Sequence, residues 1–425
     1  MVIRVNFYAV SAVEDSLIQF AVIVSRMNGK WVFCRHRDRE TYEVPGGHRE
    51  YEKNPGGCAA LQEEEADGIK GHFIETPMEA AERELKEETG ATRYEIEQVC
   101  AYSVCRDDGE ETFGLLAFAE LYEVGELHSE IAEIRLFDMI PENLTYPEIQ
   151  PKLQERVEKY RSARAKKDRM KVIITDLDRT LLRTDKTLSD YTAGVLADCQ
   201  KRGMKVVFAT ARPVRTVARY LEQVACDAVI YHNGAFAEVA GKRVGEPHLI
   251  SIAEVRELLG RLRVERPNRK LSVEIADTLY ANFDVKEFWS YTGAVESDFT
   301  DLPERDADKI LIEVRSSKEC EELDGMLWDE VYGETADGKL YLVMNRKATK
   351  FGAVQDLAEY WGIPAEDMIA FGDDVNDIGM LKGCGIGVSV ANGLEEVREA
   401  SDLIAETNDE DGVAVFLENF YSREA

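Results

Sequence analysis

The feature that most constrains this chain is a short apolar segment that ends in two acidic residues. Residues 171–175 read as a mostly apolar, buried strand, and Asp176 and Asp178 follow it directly. Two carboxylates at the end of a buried strand are costly unless a cation neutralises them. A helical stretch and a second buried strand at 205–209 follow, which is the rhythm of a doubly wound parallel sheet. Because such sheets bind ligands at the carboxyl ends of their strands, this segment predicts an α/β fold with a ligand site beside the aspartates.

Further polar residues follow in order, each at a predicted strand end or helix start. They are Thr210 after the strand 205–209, Lys350 before an amphipathic helix, and Asp373, Asn376 and Asp377 after the short strand 368–371. Hydrolysis of a phosphate ester through an aspartyl-phosphate needs a carboxylate nucleophile, an acid for the leaving oxygen, donors for the phosphoryl oxygens and Mg²⁺. Each segment alone is compatible with an ordinary loop, but the ordered set predicts a phosphatase.

The set resembles the haloacid dehalogenase-like (HAD) phosphatases, over residues 171–425, and within them the Cof-type subfamily. The segment 231–235 is similar to that subfamily's N-G-A segment, and 408–414 matches its terminal N-D-E-D-G-V-A signature. The resemblance implies a doubly wound Rossmann-like HAD core over residues 171–250 and 345–425. It also implies an inserted α/β cap over about 251–344, of the kind that excludes water and selects the leaving group.

The resemblance also implies roles for individual residues. Asp176 would be the nucleophile, Asp178 the general acid and then base, and Thr210 and Lys350 the ligands of the phosphoryl group. Mg²⁺, with Mn²⁺ as the alternative ion, would be held by Asp176, Asp178 through its carbonyl oxygen, and Asp373, with Asn376 and Asp377 in supporting positions. Asn233 would bind substrate or support the site. Arg179 stands where the family usually has glycine, so it either shapes specificity or is a tolerated variant. His232 is interpreted as a structural or substrate-orienting residue rather than a metal ligand.

The N-terminal part carries a second acidic pattern, on a predicted helix at 78–89. Glu84, Glu87 and Glu88 lie at positions i, i+3 and i+4, so that all three project from one helix face. Like charges at this spacing destabilise a helix by a few tenths of a kcal/mol per pair, which a bound divalent cation would offset. Upstream, Gly46 and Gly47 lie in a tight turn where the backbone can approach a ligand closely. An exposed, glutamate-rich helix without a ligand is the alternative.

This pattern resembles the Nudix box, and the resemblance extends over residues 1–150. Residues 83–91 match the second half of the box, Glu75 stands at the required distance before Arg83, and 46–50 resembles its opening. It implies a Nudix α/β/α sandwich with a mixed sheet, in which Glu84, Glu87 and Glu88 bind Mg²⁺. Gly46, Gly47, Glu75 and Arg83 would support that site. Glu130 or Glu133, expected in a loop, could act as the general base, but we favour an ordinary surface role for both. An insert of 22 residues, about 51–72, interrupts the box, and would form a lid or substrate-selecting arm or would disable the site.

A basic segment separates the two patterns. Residues 151–170 hold eight Lys and Arg against three acidic residues, in a chain whose formal net charge is −30. This segment is either a docking site for an anion or partner, or a solvated helix followed by a linker, and we favour the second. Leu153, Val157 and Tyr160 at helical spacing would pack the helix on the first domain.

Charge and composition narrow the classes of partner and location. A surface this acidic argues against binding a nucleic acid duplex. Small phosphorylated substrates remain compatible, because a bound Mg²⁺ reverses the sign of the charge inside a pocket. No apolar stretch is long enough to span a membrane, no secretion signal is evident, and the eight cysteines lack metal-binding spacing. We therefore expect a cytoplasmic protein, whose oligomeric state the sequence leaves open.

Together these patterns predict a bifunctional Mg²⁺-dependent hydrolase. The Nudix domain would cleave a nucleoside diphosphate linked to X, and the HAD domain a phosphate monoester such as a sugar phosphate. The alternative is a HAD phosphatase whose Nudix domain binds a nucleotide or regulates without catalysis. A wholly non-catalytic assembly protein would leave two acidic sites idle, which argues against this third class.

Overall fold

The computed structural model describes residues 3–53, 71–107, 109–127, 130–289, 293–336 and 338–421. Cα packing divides the chain into two compact units, one formed by Met1–Asp168 with Val388–Ala425, the other by Arg169–Gly387. The predicted linker 151–170 ends close to this division, whereas the last segment groups with the N-terminal residues. Most of the predicted insert, residues 54–70, lies outside the described residues. No helix in the described part of the chain combines the length and apolar composition that a membrane crossing requires.

The first unit is built from one mixed sheet and two long helices. Its elements up to residue 168 are β1 (Arg4–Tyr8), β2 (Ile18–Met27), β3 (Lys30–His36), β4 (Gly46–His48), β5 (Tyr51–Lys53), β6 (Gly71–Phe73), α1 (Pro77–Thr89), β7 (Ala91–Cys105), β8 (Glu111–Val124), β9 (Ile131–Phe137) and α2 (Gln150–Lys166). The sheet has the strand order β1-β7-β8-β2-β3-β9, with β4 paired to β2. Strands β2 and β8 run parallel and the other pairs antiparallel. Strands β5 and β6, at the two ends of the predicted insert, pair antiparallel with each other.

Successive side chains of β2 point to opposite faces of the sheet and pack in two different cores. Ile23 packs in one core with Leu85 of α1, and Val24 packs in the other with Leu153 and Val157 of α2. Because strand side chains alternate between faces, each helix covers one face of the sheet. The first unit therefore has α/β/α layers around this mixed sheet, and its identity as a Nudix domain stays a prediction.

Helix α1 begins and ends where its sequence signals place it. Thr76 and Glu79 form a reciprocal capping box, with hydrogen bonds of 3.2 Å from Glu79 N and 2.7 Å to Glu79 Oε2. Pro77 occupies the first turn, and Gly90 closes the helix in a left-handed conformation at φ 68°. These caps fix the helix that carries Glu84, Glu87 and Glu88.

The second unit contains a largely parallel core sheet. Its elements are β10 (Val172–Thr175), α3 (Asp190–Lys201), β11 (Lys205–Ala209), α4 (Val214–Leu221), β12 (Ala228–Tyr231), β13 (Phe236–Val239), β14 (Lys242–Val244), α5 (Ile252–Glu265), β15 (Leu271–Ile275), β16 (Thr278–Ala281), β17 (Val295–Glu296), β18 (Lys309–Glu313), α6 (Ser317–Asp324), β19 (Val331–Ala336), β20 (Leu340–Asn345), α7 (Lys350–Trp361), β21 (Met368–Gly372) and α8 (Ile378–Gly383). Strand β10 lies between β11 and β21, and all three run parallel, with Ile174 opposite Val207 on one side and Ala370 on the other. The antiparallel strands β13 and β14 extend the sheet beyond β12.

The inserted segment between β14 and α7 forms a second, smaller layer with its own core. Its sheet has the order β17-β16-β15-β18-β20-β19. Leu258, Leu262, Val273 and Ile310 belong to a core on one side of this sheet, and Leu279 and Leu342 to a core on the other. This layer lies within residues 251–344, the segment for which the resemblance implies a cap, and its role as a cap stays a prediction.

The C-terminal segment continues with β22 (Ile386–Val390), which crosses the division between the units, then α9 (Glu395–Ala400), β23 (Leu403–Ala405) and α10 (Gly412–Tyr421). Strands β22 and β23 pair parallel. The signature 408–414 forms a short 3₁₀ turn followed by the start of α10.

Candidate active site

Three parallel strands bring the predicted phosphatase residues to one edge of the core sheet. Asp176 follows β10, Thr210 follows β11 and Asp373 follows β21. Since these strands are neighbours with matched register, the residues after their carboxyl ends are neighbours too. Lys350 enters the same place as the first residue of α7, whose N-terminus is capped by Thr349. The structure thus gathers residues that lie up to 197 positions apart in the chain (373 − 176).

Lys350 is the buried cation of this site. Its Nζ donates at 2.6 Å to Asp176 Oδ1 and at 2.6 Å to Asp377 Oδ1, and all three side chains are almost fully excluded from solvent. Burial opposes the charge of Lys350, but the two carboxylates outweigh it and raise the lysine pKa above its usual range. Lys350 therefore stays protonated and compensates two of the crowded acids.

The turn after β21 holds Asp373 and Asp377 against each other. The carboxylate Oδ2 of Asp377 accepts hydrogen bonds from the backbone N–H groups of Asp373 at 2.9 Å and of Asp374 at 3.1 Å. Thr180 donates to Asp373 Oδ1 at 2.7 Å. A Cβ at Gly372 would lie 2.4 Å from the Asp377 side chain, so only glycine admits this close approach.

Three carboxylates of this site are placed to share a cation. Oxygen atoms of Asp176, Asp373 and Asp377 lie within 4.8 Å of one another. Burial, with Asp377 and Asp373 close by, raises the pKa of Asp176 well above its usual range, and burial raises the pKa of Asp373 to about 6. A hard divalent cation would relieve this repulsion, since Mg²⁺ prefers carboxylate oxygens. The residues present fit such an ion, and Asp377 belongs to the cluster although the sequence placed it only in support.

Asp178 lies beside the cluster but its carboxylate has other partners. Arg212 donates to both of its oxygens, Nε at 2.6 Å to Oδ2 and Nη2 at 2.7 Å to Oδ1. Lys186 adds a contact of 2.9 Å to Oδ1. Burial alone would raise the pKa of Asp178, but these cations outweigh it and lower the pKa to about 2. The carboxylate of Asp178 is thus held away from the three-carboxylate group, and a metal-ligand role for this residue remains a prediction for its carbonyl oxygen.

The remaining predicted residues surround this centre. Thr210 is fully buried, and its Oγ1 accepts a hydrogen bond from the Arg212 backbone N–H at 3.1 Å. The backbone N–H of Asn233 donates to Thr210 O at 2.9 Å. Asn376 Nδ2 contacts Glu334 Oε1 of strand β19 at 3.5 Å, which brings a carboxylate of the cap to the site.

The structure shows the surroundings of Arg179 and His232, for which the sequence left more than one role open. Arg179 adopts a positive φ of 62°, a backbone conformation that favours glycine, which accounts for the residue type that the family usually has there. His232 is buried beside Phe236, and burial and then Lys309 and Arg215 lower its pKa well below the usual value. The charged neighbours of His232 are basic rather than acidic, and the choice between a structural and a substrate-orienting role stays a prediction.

The acidic helix α1 of the first unit contacts the glycine turn at 46–47. Glu88 Oε2 accepts a hydrogen bond from Gly46 N at 3.0 Å, and a Cβ at Gly47 would lie 2.1 Å from Glu84 Oε1. Burial, with Glu84 close by, raises the pKa of Glu88 to about 8. The turn and helix therefore meet at two glutamates, as the spacing of the predicted residues requires.

Arg83 ties this helix to the preceding loop. Its guanidinium donates to Glu75 at 2.7 Å and to Glu84 at 2.8 Å, and also to the carbonyl oxygen of His48 at 3.0 Å. Glu87 is more exposed and reaches Arg83 at 3.4 Å. Glu84, Glu87 and Glu88 do not form a group whose oxygens all lie within 4.8 Å, in contrast to the aspartates of the second unit.

The two general-base candidates of this unit lie at its edge. Glu133 lies in strand β9 rather than in a loop, and its carboxylate pairs with Arg35 at 2.9 Å. The expected loop position of Glu133 is therefore wrong, because Ile131–Phe137 pairs with β3. Glu130 precedes this strand and contacts His36 at 3.4 Å.

Comparison with known sequences decides the family. The sequence model of the haloacid dehalogenase-like hydrolases matches residues 173–417, which is more than half of the chain. The chain belongs to the haloacid dehalogenase-like hydrolase family. The matched segment contains every residue of the strand-end site described above.

Individual proteins and solved structures are similar to more than half of the chain. The 5-amino-6-(5-phospho-D-ribitylamino)uracil phosphatase YitU of Bacillus subtilis is 27% identical over 265 residues, which cover 59% of this chain and 97% of that protein. The putative phosphatase YxeH of the same organism is 28% identical over 266 residues, covering 57% and 96%. The crystal structure of a haloacid dehalogenase-like hydrolase from Bacteroides thetaiotaomicron superposes with a TM-score of 0.55 at 24% identity, covering 59% of this chain and all of that one. The last likeness supports the fold.

Sequence reasoning missed part of the site of this haloacid dehalogenase-like hydrolase. Arg212 and Lys186 both contact Asp178, and Glu334 arrives from the cap. A signal for Arg212 was available, because it lies two residues after Thr210 in the same strand-end loop. Lys186 and Glu334 carry no comparable signal, since only the folded chain brings them to the site.

Proposed function

We propose that residues 171–425 form a Mg²⁺-dependent phosphatase that hydrolyses phosphate monoesters through an aspartyl-phosphate on Asp176. In this proposal the core comprises 171–250 and 345–425, and the cap about 251–344. The observation that carries the proposal is the buried Lys350, which contacts Asp176 and Asp377 at 2.6 Å each beside Asp373. A nucleophilic carboxylate, a fixed cation and an acidic group that fits a divalent ion are the parts that phosphoryl transfer requires.

The chain's own residues would carry the phosphoryl transfer. A carboxylate oxygen of Asp176 forms a bond to phosphorus while the bond to the alcohol oxygen breaks, and water later releases orthophosphate and restores the carboxylate. Lys350 and Thr210 would donate hydrogen bonds to the phosphoryl oxygens as charge develops on them. Mg²⁺, held by Asp176, Asp373 and Asp377 with the Asp178 carbonyl, would neutralise negative charge on the phosphoryl group.

Asp178 would transfer protons to the alcohol oxygen and from the water. As a general acid it gives a proton to the leaving alcohol, and as a base it takes one from the attacking water. Its carboxylate is paired with Arg212 and Lys186, which favours the unprotonated form. The acid step needs a protonated Asp178, so its ion pairs with Arg212 and Lys186 would have to weaken when substrate enters. The base step starts from the unprotonated carboxylate, which these pairs favour.

The substrate class we propose is a small phosphorylated sugar or polyol. The cap places Glu334 next to Asn376 of the site, and burial raises the pKa of Glu334. A carboxyl group in this position accepts or donates hydrogen bonds to hydroxyl groups of a leaving alcohol. The name of YitU, a phosphatase of a ribitylamino compound, supports an alcohol of this kind.

Replacing Asp176 by asparagine tests the nucleophile. The amide keeps the shape of the side chain but cannot form the phosphoryl ester, so we expect turnover of p-nitrophenyl phosphate to fall by at least about a thousandfold. Asp198→Asn, on the exposed face of α3, is the matched control and should retain full activity. Near-normal turnover in the Asp176 variant would exclude this residue as the nucleophile.

For residues 1–150 we propose a Nudix-type pyrophosphohydrolase that acts on a nucleoside diphosphate linked to X. The contacts of Glu88 with Gly46 and of Arg83 with Glu75 support it, because they join the glycine turn, the loop and the acidic helix into one site. Glu84, Glu87 and Glu88 offer carboxylate oxygens of the kind that hold Mg²⁺. Binding of a nucleotide without hydrolysis is the second candidate, because Glu87 is turned toward Arg83.

Glu88→Gln tests this second site. We expect it to abolish cleavage of a nucleoside diphosphate sugar while leaving monoester hydrolysis unchanged, because the two sites are separate. Glu82→Gln, on the same helix and paired with Lys86, is the control that should leave both activities intact. Nucleotide binding without turnover in the unchanged protein would favour the binding role, and equal loss of both activities would contradict two independent sites.

A shared substrate would explain why both activities occur in one chain. Cleavage of a nucleoside diphosphate linked to X yields two phosphate monoesters, which are the substrates proposed for Asp176. We therefore expect orthophosphate from a nucleoside diphosphate sugar with the intact chain. The Asp176→Asn variant should instead accumulate the monoester.

A further inference from the structure

A cavity in the first unit lies next to the basic helix α2. Its volume is about 230 Å³, well above the ~10–15 Å³ that one water needs. Helix α2 contributes Arg156, Tyr160 and Arg164 to its wall, and the rest comes from β7, β23, the residues after β23 and α10. Three residues of the basic segment 151–170 thus line this partly open cavity.

Arg156 is an unusual residue to find on this wall. It is only 4% exposed, and its neighbours include the ring of Phe7, whose centroid lies 5.3 Å from the guanidinium carbon. Nη1 donates to the carbonyl oxygen of Ser401 at 3.0 Å. The side chain of Cys100 also lies beside the guanidinium. Nη2 is buried and has no hydrogen-bond partner among the described residues, and no ion pair joins Arg156 to a carboxylate of that part of the chain.

A buried guanidinium without an acidic partner is energetically costly. Removing the charge from water carries a penalty that a paired anion or a full set of hydrogen bonds normally offsets. Burial lowers the pKa of Arg156 below its usual range, because the same loss of hydration disfavours the charged form. Arg156 lines the cavity, and Nη2 itself has almost no accessible surface, so an anion bound there would pair with Nη2 after a change of the side-chain rotamer.

The other walls indicate what kind of partner would fit. Val99, Leu403 and Phe420 provide apolar surface, and Phe420 stacks on Phe416 with ring centroids 5.2 Å apart. Glu406 also lines the cavity, and its Oε2 is buried without a hydrogen-bond partner in the described chain. An anion would therefore bind at the Arg156 side, with an apolar body along the aromatic wall.

We propose that this cavity binds a small organic anion, whose phosphate or carboxylate group pairs with Arg156. Arginine matches both groups because its planar fork donates two parallel hydrogen bonds. The site is distinct from the strand-end aspartates and from the Glu84–Glu88 helix, since it shares no residue with either. It gives the basic helix a binding role that we did not favour from the sequence.

Calorimetric titration of the full chain tests the proposal, with three probes. Phenylphosphonate represents the phosphate source and resists hydrolysis, phenylacetate represents the carboxylate source, and inorganic phosphate lacks the apolar body. Arg156→Gln should weaken binding of at least one aromatic probe by about tenfold or more, the loss expected for a charged hydrogen bond. Arg161→Gln is the matched control, because Arg161 lies on the same helix against Trp31 and Phe118, outside the cavity lining.

A second variant keeps the test decisive if Arg156→Gln does not fold. Glu406→Gln removes a negative charge from the cavity wall, so we expect the aromatic probe to bind several-fold more tightly. Affinities that are equal in the unchanged protein and the Arg156 variant would mean that the probes bind elsewhere. That result would overturn the proposal. The proposal would also fail if no probe binds at millimolar concentration, or if Glu406→Gln leaves the affinity unchanged. The cavity would then be filled by water.

Discussion

Replacing Lys350 by glutamine removes the cation that contacts both Asp176 and Asp377. Its side chain is 2% exposed, and those of the two carboxylates are 8% and 0% exposed, so water cannot replace the lost charge. Removing one partner from a buried ion pair costs about 3–5 kcal/mol, because the remaining charge is left uncompensated. We expect the lower part of this range, since Asp176 already has a raised pKa and relieves the repulsion by taking a proton. Turnover should fall by about a hundredfold to a thousandfold, as when one donor to a developing oxyanion is removed.

Urea denaturation with EDTA present and p-nitrophenyl phosphate hydrolysis with Mg²⁺ present measure the two effects. Lys347→Gln is the matched control, because Lys347 is exposed three residues earlier and should change neither quantity. The double variant Lys350→Gln with Asp377→Asn should regain at least half of the lost stability but none of the turnover. The reasoning fails if Lys350→Gln changes the unfolding free energy by less than about 0.5 kcal/mol, the level of an ordinary surface substitution, and keeps at least half of the activity.

Two further predictions concern the cap. Burial and the nearby Glu274 raise the pKa of Asp308 from 3.8 to about 6, so the folded protein holds a proton that the unfolded chain has lost between these pH values. This group's contribution to stability therefore declines as pH rises through that window, by up to about 3 kcal/mol. Asp308→Asn should thus raise the melting temperature more at pH 7 than at pH 5, and an equal gain at both would refute it. Glu334→Gln should lower kcat/KM for sugar phosphates relative to p-nitrophenyl phosphate, and an unchanged ratio of these two values would exclude Glu334 from substrate recognition.

Local patterns predicted much of the fold. The strand at 205–209 has the predicted limits, and α1 begins one residue before the predicted helix. Both segments carry strong local signals, namely an apolar run between polar residues and a capped helix with proline at its first turn. The hairpin of β13 and β14 was not predicted, because its strands are short and partly exposed.

The sequence predicted the site residues that directly follow a strand. It predicted less well the residues whose position depends on turns and side-chain contacts. Asp176, Thr210 and Asp373 lie at adjacent strand ends, so the parallel sheet alone brings them together. Asp377 joins the carboxylates because a 3₁₀ turn folds back on Asp373, which sequence spacing does not reveal. The pairing of Asp178 with Lys186 likewise depends on side-chain placement in the folded chain.

The central claim is that Asp176 carries the phosphoryl group during turnover. Rapid acid quenching of the enzyme with Mg²⁺ and excess p-nitrophenyl phosphate, followed by peptide mass spectrometry, tests it directly. The account predicts the mass of one phosphoryl group on the peptide that contains Asp176, lost on treatment with hydroxylamine and absent in Asp176→Asn. A phosphoryl group on another residue, or an active enzyme whose Asp176 peptide is never phosphorylated while the leaving phenol appears in a burst, would contradict it.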